Sequence, residues 1–102
     1  MTYRVLLTRE ARDDLRRLEE FLEAAAIESG DFDLPLRAVD TILEEFGVLE
    51  RNPFTCRRVS GDPFERELVI PLGRTGYVAL FRIMSEEVAV TAIRHQREDD
   101  YH

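Results

Sequence analysis

The apolar residues of this chain change their spacing once, close to Pro53, and that change limits the fold more than any other feature. Before it, Ala11, Leu15, Leu18, Leu22 and Ala25 follow at steps of four, three, four and three. Leu36, Val39, Ile42, Leu43, Phe46 and Leu49 make a second stripe of the same kind. Steps of three and four collect side chains on one side of a helix. From Arg57 onward the step is two: Leu68 and Ile70 alternate with Glu67 and Val69, and Tyr77, Ala79, Phe81 and Ile83 alternate with Val78, Leu80, Arg82 and Met84. That is the period of a strand. Helices grouped before strands predict an α+β domain, with two helices packed on one face of a sheet.

Local signals place the boundaries. Tyr3-Arg4-Val5-Leu6-Leu7 reads as a short first strand, and Thr8 as the cap of the first helix, its hydroxyl accepting from a free amide of the first turn. Ser29-Gly30 ends that helix. Asp31 or Asp33 with Pro35 starts the second, because proline's missing amide costs nothing in a first turn, and Asn52-Pro53 stops it. So short a link predicts an antiparallel helical hairpin. Arg57-Arg58-Val59 is a candidate short strand before a Ser60-Gly61-Asp62-Pro63 turn, and Glu65 to Pro71 is a longer one. Gly73-Arg74-Thr75-Gly76 turns into the alternating strand, and Ser85-Glu86-Glu87 turns out of it into Val88–Ile93. With apolar residues on both sides, this last pair is expected at the sheet centre, buried largely on both faces.

At 102 residues the chain is expected to be one domain, 1–102, with a single core. No apolar run approaches the ~20 residues of a membrane span, and the N-terminus has too short an apolar core for a signal peptide. One cysteine, Cys56, forms no internal disulfide, which fits a reducing, cytoplasmic setting. Residues 1–50 carry thirteen acids against six arginines, a net of −7; residues 51–97 carry eight arginines against five acids, a net of +3. A pI near 4.8 argues against a general nucleic-acid binder, while the basic second half suits an acidic partner or a phosphate backbone. All basic residues are arginine. A GC-rich genome accounts for that as well as a need for bidentate forks does. One cysteine and two histidines offer no metal-ligand spacing, and nothing indicates a cofactor.

The order of elements and a set of residues upon them resemble the RelE/ParE toxin superfamily of bacterial type II toxin–antitoxin systems, and more closely its ParE or plasmid-stabilisation branch. The resemblance is carried by Tyr3-Arg4-Val5 leading to Thr8 and Ala11-x-x-Asp14-Leu15, by Phe46-x-x-Leu49-x-x-x-Pro53, and by Arg66-Glu67-Leu68. Gly76-Tyr77 with Phe81-Arg82-Ile83, and the ending Ile93-Arg94-His95-Gln96-Arg97-Glu98, complete it. It implies β-α-α-β-β-β order, with a two-helix hairpin on a small, mainly antiparallel, twisted sheet. It also implies growth arrest by a toxin that a cognate, ParD-like or related antitoxin neutralises. ParE-like members are described as poisoning DNA gyrase; RelE-like members cut messenger RNA on the ribosome.

The site residues are weighed against both activities. RNA cleavage needs a base, an acid and a cation for the phosphorane charge. RelE supplies charge from lysines before its Gly-Tyr pair and an arginine after it; here Glu67–Pro71 is apolar or acidic and Val78 follows Tyr77. Another nuclease subgroup uses a helix glutamate, a strand arginine and a C-terminal histidine with a tyrosine. Glu44 or Glu45, Arg66 or Arg82, and His95 with Tyr101 imitate that set. His95 has two readings, a pin for the chain end or a general base at neutral pH; Tyr77 reads as a packing residue, and His102 as a terminal residue without function. For Arg82 the choice is an internal pair with a strand acid or a receptor for an antitoxin carboxylate; Arg66 and Arg94 carry the same choice. The reading adopted is a gyrase-directed protein inhibitor with no catalytic residue, whose antitoxin reaches Arg66, Arg82 and Arg94. The alternatives are a ribosome-dependent mRNA endonuclease using His95, Tyr101, Arg66 and Arg82, and an inactive member kept as a binding module.

Overall fold

The computed structural model describes residues 2–72 and 75–96. Gly73 and Arg74 of the expected turn, and Arg97, Glu98, Asp99, Asp100, Tyr101 and His102, lie outside the described residues. The elements are β1 (Arg4–Leu7), α1 (Arg9–Ser29), α2 (Leu34–Arg51), a 3-10 turn (Pro53–Thr55), β2 (Arg57–Arg58), β3 (Glu65–Leu72), β4 (Thr75–Ile83) and β5 (Glu87–His95). The strands form a five-stranded sheet in the order β1-β5-β4-β3-β2. β1 pairs with β5 in parallel and the other pairs are antiparallel. The expected α+β architecture is the one observed, with both helices on the same face.

Helix boundaries follow from chemistry visible in the chain. Thr8 Oγ1 accepts the Ala11 amide at 3.2 Å, capping α1. At the other end Gly30 takes φ 82°, a left-handed conformation natural to glycine, and returns its amide to the Ala26 carbonyl. α2 starts after Asp33, whose side chain makes no capping bond; Pro35 occupies its first turn.

The core lies between the helices and one sheet face: Ala11, Ile42, Phe46 and Leu49 meet Leu68, Ile70, Tyr77, Ala79, Phe81, Ile83, Val88, Val90 and Ile93. Two expectations need correction. In α2 the buried row is Ala38, Ile42, Phe46 and Leu49, whereas Leu36 and Leu43 are exposed, Leu36 to 68%. Neighbouring residues on a helix differ by about 100° of rotation, so a stripe admitting both Ile42 and Leu43 is wider than the surface available to cover it.

The β4–β5 hairpin is central, and its helix-free face is buried only in part. Val78 and Ala89 are buried there and Leu80 is half-buried, whereas Arg82 and Met84 are exposed. The apolar run in β5 has another cause. Leu80 pairs with Ala92 and Phe81 with Val90, leaving Thr91 as the extra residue of a β-bulge. The bulge reverses the alternation, so Val90 and Ile93, three apart, both enter the core. Thr91 Oγ1 donates to the Leu80 carbonyl at 3.3 Å, tying the bulge to β4.

Candidate functional site

The two ends of the β4–β5 hairpin hold the residues singled out above. At the Ile83 end, arginines are tied inward. Arg82 donates to Asp62 Oδ2 at 2.8 Å and to Glu65 Oε1 at 3.1 Å. Asp62 in turn accepts the Phe64 amide at 2.9 Å. That amide, and then Arg82, hold the Asp62 carboxyl below the usual carboxylate range. Arg66 lies on the helix side of β3 and donates to three backbone carbonyls: Pro63 at 2.8 Å, Phe54 at 3.0 Å and Cys56 at 2.9 Å. Its guanidinium sits 5.4 Å from the centre of the Phe54 ring, and Phe54 meets Phe64 edge-on at 6.1 Å. Arg57 pairs with Glu67 across the β2–β3 ladder. Burial pushes the Cys56 thiol up, against a smaller opposing effect of Arg66, so it stays protonated at neutral pH.

At the His95 end the arrangement is open. A cleft of 840 Å³ runs between α1 and the last residues of β5, lined by Glu10, Asp14, Arg17, Leu18 and Phe21 on one side and Tyr77, Thr91, Ala92, Ile93, Arg94 and His95 on the other. Its volume is that of a ligand or peptide cleft, about 300–1,000 Å³. Tyr77 and His95 are cross-strand partners whose rings meet at 5.4 Å, nearly perpendicular. Burial pushes the Tyr77 phenol above its ordinary range, so it stays protonated at neutral pH. Asp14 bonds Arg17 and accepts the Ile93 amide at 3.0 Å, joining α1 to β5. Arg94 is exposed, and among the described residues no carboxylate pairs with it. No group of three or more His, Cys, Asp or Glu among the described residues could hold a metal ion.

The sequence-named residues are therefore spread apart. Tyr77, beside His95, is five residues along β4 from Arg82, about 16 Å at the rise of a strand, and the Arg82 side chain is on the opposite face. Arg66 is opposite Phe81, toward the Arg82 end. Glu44 is exposed and Glu45 half-buried on α2, and the cleft is walled by α1. Tyr101 is outside the described residues. Arg94 and His95 do line one cleft. Asp14, Arg17 and Phe21 were missed as site residues; Asp14 stood out only inside the Ala11-x-x-Asp14-Leu15 pattern, because one acid on an acid-rich helix carries no further mark.

With this geometry in view, a family model described as the ParE toxin of the type II toxin–antitoxin system parDE matches residues 5–100. The chain belongs to the ParE toxin family. It is 34% identical over 88 residues to Toxin RelE3 of Caulobacter vibrioides, covering 86% of this chain and 88% of that protein. The fold is shared with a chain of the chromosomal ParDE toxin–antitoxin system from P. aeruginosa, at TM-score 0.72 and 24% identity, over 92% of this chain and 96% of that one. It is also shared with a chain of the RelBE2 toxin–antitoxin complex from Mycobacterium tuberculosis, at TM-score 0.53 and 24% identity, over 94% and 100%. Together these place the protein in the RelE/ParE toxin superfamily, as a toxin of type II toxin–antitoxin type. No helix among the described residues is long and apolar enough to cross a membrane.

Proposed function

We propose that this ParE-family chain acts in the cytoplasm as a protein-binding inhibitor of DNA gyrase and is held inactive by a cognate antitoxin. The observation that supports inhibition over hydrolysis is the spacing of the nuclease candidates. A base, an acid and a cation must meet around one phosphate, within about 3 Å of the reacting atoms. His95 lies at one end of β4–β5, and Arg66 and Arg82 toward the other, where they donate to carbonyls and carboxylates. In the inhibitor reading Arg94 is the guanidinium available to an antitoxin carboxylate, and Arg66 and Arg82 shape the sheet surface the antitoxin follows.

A second reading has its own support. Tyr77, His95 and Arg94 line one cleft with Glu10 and Asp14, a set with acid, base and cation, and RelE3 is a close relative in length. On that reading the protein is a ribosome-dependent mRNA endonuclease working at the cleft.

The test is induction of this chain alone in a bacterial host, following growth, plasmid supercoiling and transcript integrity together. Gyrase inhibition predicts growth arrest with altered supercoiling and intact transcripts, unchanged in kind by His95→Ala. Rapid cleavage of transcripts on ribosomes, abolished by His95→Ala with the fold intact, overturns it in favour of the nuclease. Growth without arrest, from folded protein, points to an inactive binding module.

A further inference from the structure

Two aromatic rings stand out of the surface at the Ile83 end, and the fold ties both of them down. Phe54 of the 3-10 turn is 45% exposed, and Phe64, just before β3, is 46% exposed. They meet edge-on at 6.1 Å, and the Arg66 guanidinium lies 5.4 Å from the Phe54 ring centre. Arg66 is fixed in turn by the carbonyls of Pro63, Phe54 and Cys56. Phe64 is held through its backbone: its amide donates to Asp62 Oδ1 at 2.9 Å, and its carbonyl accepts the Ile83 amide at 2.8 Å. Burying rings stabilises a fold, whereas ordering rings that stay exposed does not. Preordered aromatic side chains beside an arginine are the anchors of protein interfaces, because little side-chain entropy remains to be lost on binding.

The charge around the rings is also out of balance. Arg58 of β2 lies directly opposite Arg66 of β3, and like charges facing across an antiparallel pair are destabilising. Arg66 is surrounded by acceptors, whereas Arg58 is exposed and reaches the Gly61 carbonyl at 3.3 Å. Among the described residues, no carboxylate pairs with Arg58 or with Arg51. The two acids of residues 51–66, Asp62 and Glu65, both pair with Arg82. A carboxylate brought in by a partner therefore offsets a repulsion that this chain leaves standing. A nucleic acid fits less well. The whole chain carries a net −7, which repels a polyanion, and the Arg66 guanidinium takes a face of Phe54 on which a base would stack.

Resting on the gyrase reading above, we propose that Phe54 and Phe64, with Arg58, form the surface by which this chain grips its protein target. The two rings enter an apolar recess of the target, and an acidic side chain at the rim of that recess meets Arg58. The rings supply the buried area and the carboxylate selects the site. Arg66 is a positioning residue: it sets the Phe54 ring and leaves the new contact to Arg58.

The probe is purified DNA gyrase acting on relaxed plasmid, and the readout is the concentration of this chain that halves supercoiling. Phe64→Ala and Arg58→Glu should each raise that concentration at least about tenfold. Ile27→Ala, near the C-terminal end of α1, should leave it unchanged. Arg58→Glu should at the same time raise the melting temperature, since an acid then faces Arg66. Loss of inhibition accompanied by a lower melting temperature would make Arg58 a structural residue and overturn the carboxylate contact. Inhibition by the wild type that is unaltered in either variant overturns the proposal and leaves the gyrase reading intact. Absence of inhibition by the folded wild-type chain overturns both. Photo-cross-linking from benzoylphenylalanine in place of Phe64 decides the matter even if Phe64→Ala fails to fold. A cross-link to a gyrase subunit, in a peptide containing acids, is expected. A cross-link to the plasmid or to a second copy of this chain, or none to gyrase, overturns the proposal.

Discussion

The two ends of the β4–β5 hairpin carry the same kind of residue and use it in opposite ways. At the Ile83 end, Arg82 and Arg66 close a loop: two carboxylates, three carbonyls and the Phe54 ring take up their guanidinium groups. At the His95 end, Arg94 stays exposed beside a cleft, and the Asp14 carboxylate accepts a backbone amide, that of Ile93. Guanidinium groups stabilise where acceptors are fixed around them and remain available for recognition where they are not. Residue type alone does not distinguish scaffold from contact surface; the acceptors do.

Substitutions at five positions sharpen or break this contrast, from the largest effect to the smallest. Phe81→Ala removes a 2% exposed ring from the core that the two ends share and should cost about 3–5 kcal/mol, read by urea unfolding. A smaller loss confined to one end would mean the ends are not mechanically joined. Arg66→Ala strips three carbonyls of a charged donor and should cost about 1.5–3 kcal/mol. Arg66→Lys should recover little of it, since an ammonium lacks the planar fork; full recovery would reduce Arg66 to a point charge.

Gly76→Ala tests the open end. A Cβ at Gly76 would lie 2.7 Å from the Ile70 carbonyl and 2.8 Å from Gln96 Oε1, so a loss of about 1–3 kcal/mol is expected. An unchanged melting temperature would show the open end to be loose in its backbone as well as in its charges.

Asp62→Asn tests the closed end by pH. The folded Asp62 carboxyl is held below its unfolded value, by the Phe64 amide first and Arg82 next. Its stabilisation is therefore complete above the ordinary carboxylate range and disappears as pH falls through the folded value. Urea midpoints against pH should fall less steeply on the acid side in Asp62→Asn than in wild type. Parallel curves would show that Arg82 and Asp62 contribute no linkage. Arg94→Glu should alter stability by no more than about 0.5 kcal/mol while weakening antitoxin binding measurably in a titration. An unaltered affinity would remove Arg94 from the recognition surface.

Much of the fold was legible because local chemistry and global packing agree in this chain. Thr8, Gly30, Pro35 and Pro53 mark helix ends by effects acting within a turn or so of the residue. The switch from steps of three and four to steps of two separates helices from sheet. Less of the site was legible. His95 and Arg94 stood out by type and position and do share a cleft. Asp14 and Phe21, seventy and more residues earlier, did not, because only packing of α1 against β5 brings them there.

By itself, then, the sequence determined the order and ends of most elements and the α+β class, since periodicity and capping act over a few residues; the resemblance to the toxin superfamily rested instead on an ordered set of motif residues. Tertiary structure alone decided which face of the hairpin is covered, where the Thr91 bulge turns Ile93 into the core, and which arginines are tied down. Those outcomes depend on groups far apart in the chain: Asp62 with Arg82, Phe54 with Arg66, Asp14 with Ile93. The free energy of each contact exists only once the sheet has set the distance between its partners.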